Sequence, residues 1–358
     1  MTVLWINFAL VYFFSLFSRY FAKPVLGTLS SVPIQLNKSL MLGSLFLLVI
    51  VSGLRSNIGD TYVYKSIYET NEFTWEYILS QKDIGFGILQ MVLKKISDDP
   101  QMMIFTTALL TNVLIVGVLA KYSRLFEIST YVYITGGLFL VSMNGIRQLL
   151  AAAIIFTGTK YLMKGKWLRY FLIVLIASTF HQSALILIPI YFIVRYKAWS
   201  KATYILLVFS IIIVVGYEQF SALLFTAIED SQYGHYSEFH EGGANTVRVV
   251  VDAVPLLIAF LGRDKLREIF PSSDYIVNMA LIGFVFMIIS TQNWIFARFS
   301  IYFSLYQLIL ISWIVKLFRK EDQRVIYFSL IVCYFLYYFY ENVINLQTLY
   351  KSNFLNFF

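Results

Sequence analysis

The apolar positions of this chain come in long runs. They follow neither the one-sided stripe of a soluble helix nor the alternation of a half-buried strand. Runs near 3–17, 39–54, 101–120, 128–143, 146–163, 167–181, 182–195, 202–217, 247–262, 275–290, 294–317 and 325–340 each predict a helix. Crossing the ~30 Å hydrocarbon core takes about 20 apolar residues, fewer where flanking Lys or Arg snorkel. Backbone groups in lipid must be satisfied within the segment, and strand patterning is absent, so the expected fold class is all-α. The reading is a polytopic transmembrane bundle of about twelve helices, some short or re-entrant, forming a single integral membrane domain over 1–358.

Polar stretches interrupt the runs, and two are longer than a connection needs: 55–100 and 218–246. The first contains an amphipathic stretch, with Ile84, Ile88, Leu89, Met91 and Val92 ahead of Lys94 and Lys95, expected to lie along the membrane surface. Segments 167–181 and 182–195 meet at His181 and are each about 22 Å long as helices, too short to span alone. Pairing them as a hairpin with a buried tip leaves most of the 28 Lys and Arg on the inner side, whereas a single span puts most of them outside. The hairpin therefore stands, with both termini and both long loops outside. The first run begins at Val3, and its basic residues, Arg19 and Lys23, follow it, which suits a permanent helix rather than a secretory signal.

Composition agrees: 59% of residues are hydrophobic, 18% aromatic and only 13% charged, about half the charge of a soluble domain. A net charge of +8 would suit nucleic acid in a soluble protein, but here the cations occupy loops between apolar runs, so nucleic acid is not expected as a partner. Cys333 lies inside a run and reads as packing.

Candidate chemistry gathers on the outer side. Arg55, Arg147, Arg248 and Arg298 sit at outer helix ends, where the positive-inside rule disfavours them, and an anion such as a diphosphate would account for the set. Headgroup snorkelling or pairing with a carboxylate is the bland alternative for each. Asp60, in a Gly-Asp turn, is a candidate base, sugar-hydroxyl acceptor or partner for Arg55. His181 is a candidate base or a structural donor at the hairpin tip. His235, His240 and Glu241 lack the spacing that fixes a metal site, and the chain has no phosphate-binding Gly-rich loop, so no metal and no cofactor is expected.

Four segments carry a family resemblance: Arg55-Ser56-Asn57-Ile58-Gly59-Asp60-Thr61, Lys82-Asp83-Ile84-Gly85-Phe86, Ile146-Arg147-Gln148-Leu149-Leu150-Ala151 and Phe180-His181-Gln182-Ser183-Ala184. Together, over about 45–315, the chain resembles the EpsG family of Wzy-like polysaccharide polymerases. The resemblance implies a glycosyltransferase C-like membrane enzyme that joins oligosaccharide repeat units carried on undecaprenyl diphosphate, at the periplasmic or extracellular face of a bacterial plasma membrane, beside other polysaccharide assembly proteins. On that reading Arg147 and Arg298, with Arg55, hold the diphosphate. Asp60 or His181 takes the acceptor proton, and Tyr62, Tyr64, Tyr233 and Trp294 stack on sugars or anchor at the interface. The rivals are a flippase for the same lipid-linked sugars, whose charges belong near the midplane, and a ligase-type lipid-sugar transferase.

Overall fold

A computed structural model describes residues 1–24, 32–227 and 242–355. Among these the regular structure is helical apart from one short antiparallel pairing, Lys23–Pro24 with Ile34–Gln35. In order the helices are α1 (Thr2–Tyr20), α2 (Lys38–Gly53), α3 (Thr61–Thr70), α4 (Trp75–Ser80), α5 (Ile84–Lys94), α6 (Pro100–Tyr122), α7 (Phe126–Thr135), α8 (Leu138–Asn144), α9 (Ile146–Thr157), α10 (Thr159–Met163), α11 (Trp167–Phe180), α12 (Leu187–Ile193), α13 (Lys201–Val215), α14 (Tyr217–Ala227), α15 (Thr246–Leu261), α16 (Arg263–Ile269), α17 (Ser273–Ile289), α18 (Ile295–Ile314) and α19 (Gln323–Tyr338). Contacts group them into two units: Met1–Pro189 with Ile311–Phe358, and Ile190–Leu310.

The apolar runs became helices where expected, and several starts are fixed by side chains. Asn37 Oδ1 accepts from Leu40 N at 3.2 Å, and Asp99 Oδ1 accepts from Gln101 N at 2.8 Å with Pro100 in the first turn, so otherwise unsatisfied N–H groups are capped. The expected helix at 128–143 is instead α7 and α8, bent by 54° at Gly136–Gly137. The one at 146–163 is broken at Gly158 into α9 and α10. Segment 55–100 is not an extended loop: it folds into α3, α4 and α5, and α5 buries Phe86, Gln90 and Leu93 against the first unit.

Among the described residues, Thr2–Tyr20, Pro100–Tyr122, Ile295–Leu317 (α18 continued by a 3₁₀ turn, Val315–Leu317) and Gln323–Asn345 (α19 continued by a π-helical stretch, Phe339–Asn345) are long and apolar enough to cross a membrane, and the count reaches six if each of two bent pairs is one span. The remaining apolar helices run 10–17 residues. At ~1.5 Å per residue they fall short of a ~30 Å core on their own.

In the first unit α2, α6 and α7 are tied by polar contacts as well as packing. Asn112 donates to Ser52 Oγ at 3.1 Å and accepts from Tyr133 Oη at 3.1 Å, all three side chains buried. Such bonds between helices contribute about 1 kcal/mol each where no water competes. The start of α6 lies beside the end of α2, since Gln101 Nε2 donates to Gly53 O at 2.5 Å. The 23 residues of α6 then carry the chain about 34 Å to the opposite end of the unit. In the second unit Ile213, Val285, Ile289, Ile295 and Phe296 form the core beside Trp294 and Phe299.

Candidate functional site

The four segments singled out in the sequence meet at the α2-exit end of the first unit. After α2 the chain turns sharply through Ile58 (φ 84°) and Gly59 (φ 51°), closed by Thr61 Oγ1 donating to Ile58 O at 2.6 Å. A Cβ on Gly59 would lie 2.1 Å from Asn144 Oδ1, so only glycine admits this contact. The same Asn144 oxygen accepts the Asp60 N–H at 2.9 Å. Arg55 locks the junction. It is 1% exposed and donates through Nε to Thr61 Oγ1 at 3.0 Å, through Nη2 to Met143 O at 2.8 Å and through Nη1 to Ser52 O. Burial pushes its guanidinium down to about 9, still cationic at neutral pH. Pairing of Arg55 with Asp60 is not what the fold uses; the partner is Thr61, and Asp60 is exposed.

The corner that Arg55 holds, Met143 to Ile146, starts α9 and so sets the position of Arg147. Arg147 Nη1 donates to Asp83 Oδ2 at 2.8 Å, its Nε lies 3.4 Å from Tyr64 Oη, and the guanidinium stands 5.7 Å from the Tyr64 ring centre. Asp83 also receives His181, with Nδ1 3.3 Å from Oδ2, and the Gln182 N–H at 3.1 Å to Oδ1. A carboxylate only accepts, so the His181 nitrogen facing it carries the proton. The Asp83 side chain is 4% exposed and that of Arg147 41%: the anion is sunk and the cation presented.

Local sequence explains how Asp83 reaches both partners. It immediately precedes α5, whose second residue is Gly85, and a Cβ there would stand 2.2 Å from Thr179 Oγ1. Glycine thus lets the start of α5 approach the end of α11, where the backbone turns extended at His181 (φ −157°, ψ 115°). Below, Phe86, Tyr68, Met103 and Ile146 are buried together with Tyr64 and Phe180 packed against them. The tail adds a strap. Leu349 O accepts from Asn57 Nδ2 at 2.6 Å, Lys351 N donates to Asn57 Oδ1 at 2.7 Å, and Lys351 O accepts from Ser56 N at 2.9 Å.

The EpsG family model matches residues 38–357. The chain belongs to the EpsG family. The match extends past the expected limit near 315 and takes in the tail that straps Asn57. No curated protein and no solved structure matches the chain. Family and apolar helices together make this a multi-pass membrane protein.

Of the residues expected at the site, Arg147, His181 and Tyr64 are brought together, and Arg55 supports them from within. Asp60 immediately precedes α3, one turn before Tyr64, and Tyr62 on that helix is 79% exposed. Arg298 and Trp294 belong to the second unit, where the Arg298 guanidinium stacks 4.7 Å from the Trp294 ring centre. Arg248 opens α15 four residues before Asp252, whose carboxylate accepts from Gln307 Nε2 at 3.2 Å. Tyr233, His235, His240 and Glu241 lie outside the described residues. Sequence reasoning missed Asp83 as a site residue, although it stands inside one of the four motifs. The signal was a carboxylate directly ahead of an Ile-Gly-Phe helix start.

Chemically, the cluster pairs a presented guanidinium, whose planar donors match phosphate oxygens, with an imidazole oriented by a carboxylate, the arrangement used for proton transfer.

Proposed function

We propose that this protein is a polysaccharide polymerase that joins undecaprenyl-diphosphate-linked oligosaccharide repeat units at the outer face of the plasma membrane, on a glycosyltransferase C-like bundle in which the nineteen helices of the described residues make about twelve membrane segments, some short or re-entrant. The observation that supports this most is the meeting of Arg147 and His181 on one buried carboxylate, Asp83, at the end of the unit where all four motif segments converge.

In the proposed reaction an acceptor sugar hydroxyl attacks the anomeric carbon of the donor chain. The new C–O bond forms as the bond to the lipid diphosphate breaks, the hydroxyl proton passes to a base, and lipid diphosphate leaves. Arg147 meets the charge that grows on the leaving diphosphate; one such donor is worth about a hundredfold to a thousandfold in rate. His181 is the preferred base because Asp83 orients it, whereas Asp60 is exposed and has no side-chain cap bond. Arg298 beside Trp294 is a second candidate for the diphosphate and the sugar. Arg55 acts through the corner it holds. Tyr64 and Tyr62 are the candidates for sugar contact on α3.

The test uses purified protein in detergent supplied with lipid-diphosphate-linked repeat units, with products resolved by length. Wild type should give a ladder, Arg147→Lys a weak one, and Arg147→Ala single units only. A full ladder from Arg147→Ala would remove the basis of the proposal.

A further inference from the structure

The first unit has a second charged cluster, at the end of α6 farthest from the site just described. The Glu127 side chain is fully buried near the start of α7, and Arg19 Nε from α1 reaches its Oε2 at 2.6 Å. Tyr327 Oη from α19 lies 3.4 Å from Oε1 and 2.9 Å from Tyr12 Oη, so the carboxylate is the meeting point of α1, α7 and α19. Two more cations stand close by: Arg124 is three residues before Glu127, and its backbone N–H meets Ser312, one helical turn before Lys316.

One carboxylate cannot neutralise three cations. Among the described residues Arg124 makes its one hydrogen bond through its backbone, to Ser312 Oγ at 3.0 Å, and Lys316 Nζ meets only the neutral Gln323 Oε1 at 2.8 Å. Half-burial, and then the nearby Arg19, hold the Arg124 guanidinium below its ordinary range. Beside the cluster the surface is apolar: Phe13 and Phe17 of α1 and Phe328 of α19 are exposed, and a shallow groove along α19 is lined by Arg324, Val325, Phe328 and Val332.

We propose that Arg19, Arg124 and Lys316, set round Glu127, bind a phosphate group, and that its source is an anionic phospholipid whose acyl chains lie along the exposed faces of α1 and α19. Basic pockets at the ends of membrane helices hold anionic headgroups in this way, and a phosphodiester supplies the acceptor oxygens that Arg124 and Lys316 lack. The apolar flank favours a lipid over free phosphate, because a soluble anion leaves it unused. The site is independent of the proposed polymerase chemistry, being about 34 Å from it along α6.

The experiment is native mass spectrometry of the full chain in detergent, titrated with phosphatidylglycerol, phosphatidylcholine or inorganic phosphate. Wild type should bind phosphatidylglycerol at least tenfold more tightly than phosphatidylcholine. Each cation removed should weaken phosphatidylglycerol by roughly fivefold, so Arg124→Gln with Lys316→Gln should abolish the preference while leaving phosphatidylcholine binding unchanged. Lys316→Gln alone is the fallback if the double variant does not fold. Competition by millimolar inorganic phosphate would keep the phosphate site and reassign its source. Equal binding of the two lipids by wild type, or a preference that survives the substitutions, would overturn the proposal.

Discussion

Replacing Asp83 by Asn keeps the shape of the side chain and removes the charge that Arg147 and His181 share. Asn Oδ1 can still accept the Gln182 N–H, so the turn after α11 should persist while the charge-assisted bond from Arg147 Nη1, now 2.8 Å, is lost. Breaking a buried pair by removing one partner costs about 3–5 kcal/mol. Here only the carboxylate is buried, and the 41% exposure of Arg147 lets water re-solvate the guanidinium. The loss should therefore fall near the value for a charge-assisted hydrogen bond, about 2 kcal/mol. Turnover should suffer more, since an imidazole without its orienting acceptor samples the wrong tautomer and rotamer, and the base contribution at risk is about a hundredfold or more. Thermal unfolding in detergent and the polymerisation rate, read on the same Asp83→Asn preparation, separate the two effects. Full turnover in a folded Asp83→Asn protein would refute the argument that the carboxylate organises the site.

Arg55→Met should lower abundance and thermal stability by about 3 kcal/mol, because Met143 O, Ser52 O and Thr61 Oγ1 lose a buried common donor; a stable but inactive variant would instead give Arg55 a direct role in binding. Gly85→Val should force α5 from Thr179 and lower activity with little change in helix content by circular dichroism; wild-type activity would show that the approach of α5 to α11 is dispensable. Asn112→Leu removes the bonds to Ser52 and Tyr133 and should destabilise the first unit by about 2 kcal/mol, read as a lower unfolding midpoint with turnover retained.

Much of this fold was legible because lipid imposes a simple rule on sequence: apolar runs become helices, as at Lys38–Gly53, Pro100–Tyr122 and Thr246–Leu261. The breaks were not, since Gly158 and the pair Gly136–Gly137 sit inside runs whose hydropathy does not change. Helices α3 and α4, and the burial of the amphipathic α5, were hidden for the opposite reason. Their burial depends on neighbours such as Met103 and Ile146 that are distant in sequence. At the site, Arg147 and His181 stood out as polar residues at apolar edges, but Asp83 lies 64 and 98 residues from its partners, and no local pattern announces such a bond. The tail was illegible because it is held largely through backbone groups, which every residue carries.

Whether Arg147 serves a polymerisation step is read from the sidedness and length of lipid-linked sugars in cells carrying Arg147→Ala. Single repeat units on lipid, already accessible from the outer leaflet, are expected, with long polymer lost. Single units trapped on the inner leaflet would contradict that role in favour of transport, and undiminished long polymer would remove Arg147 from the chemistry.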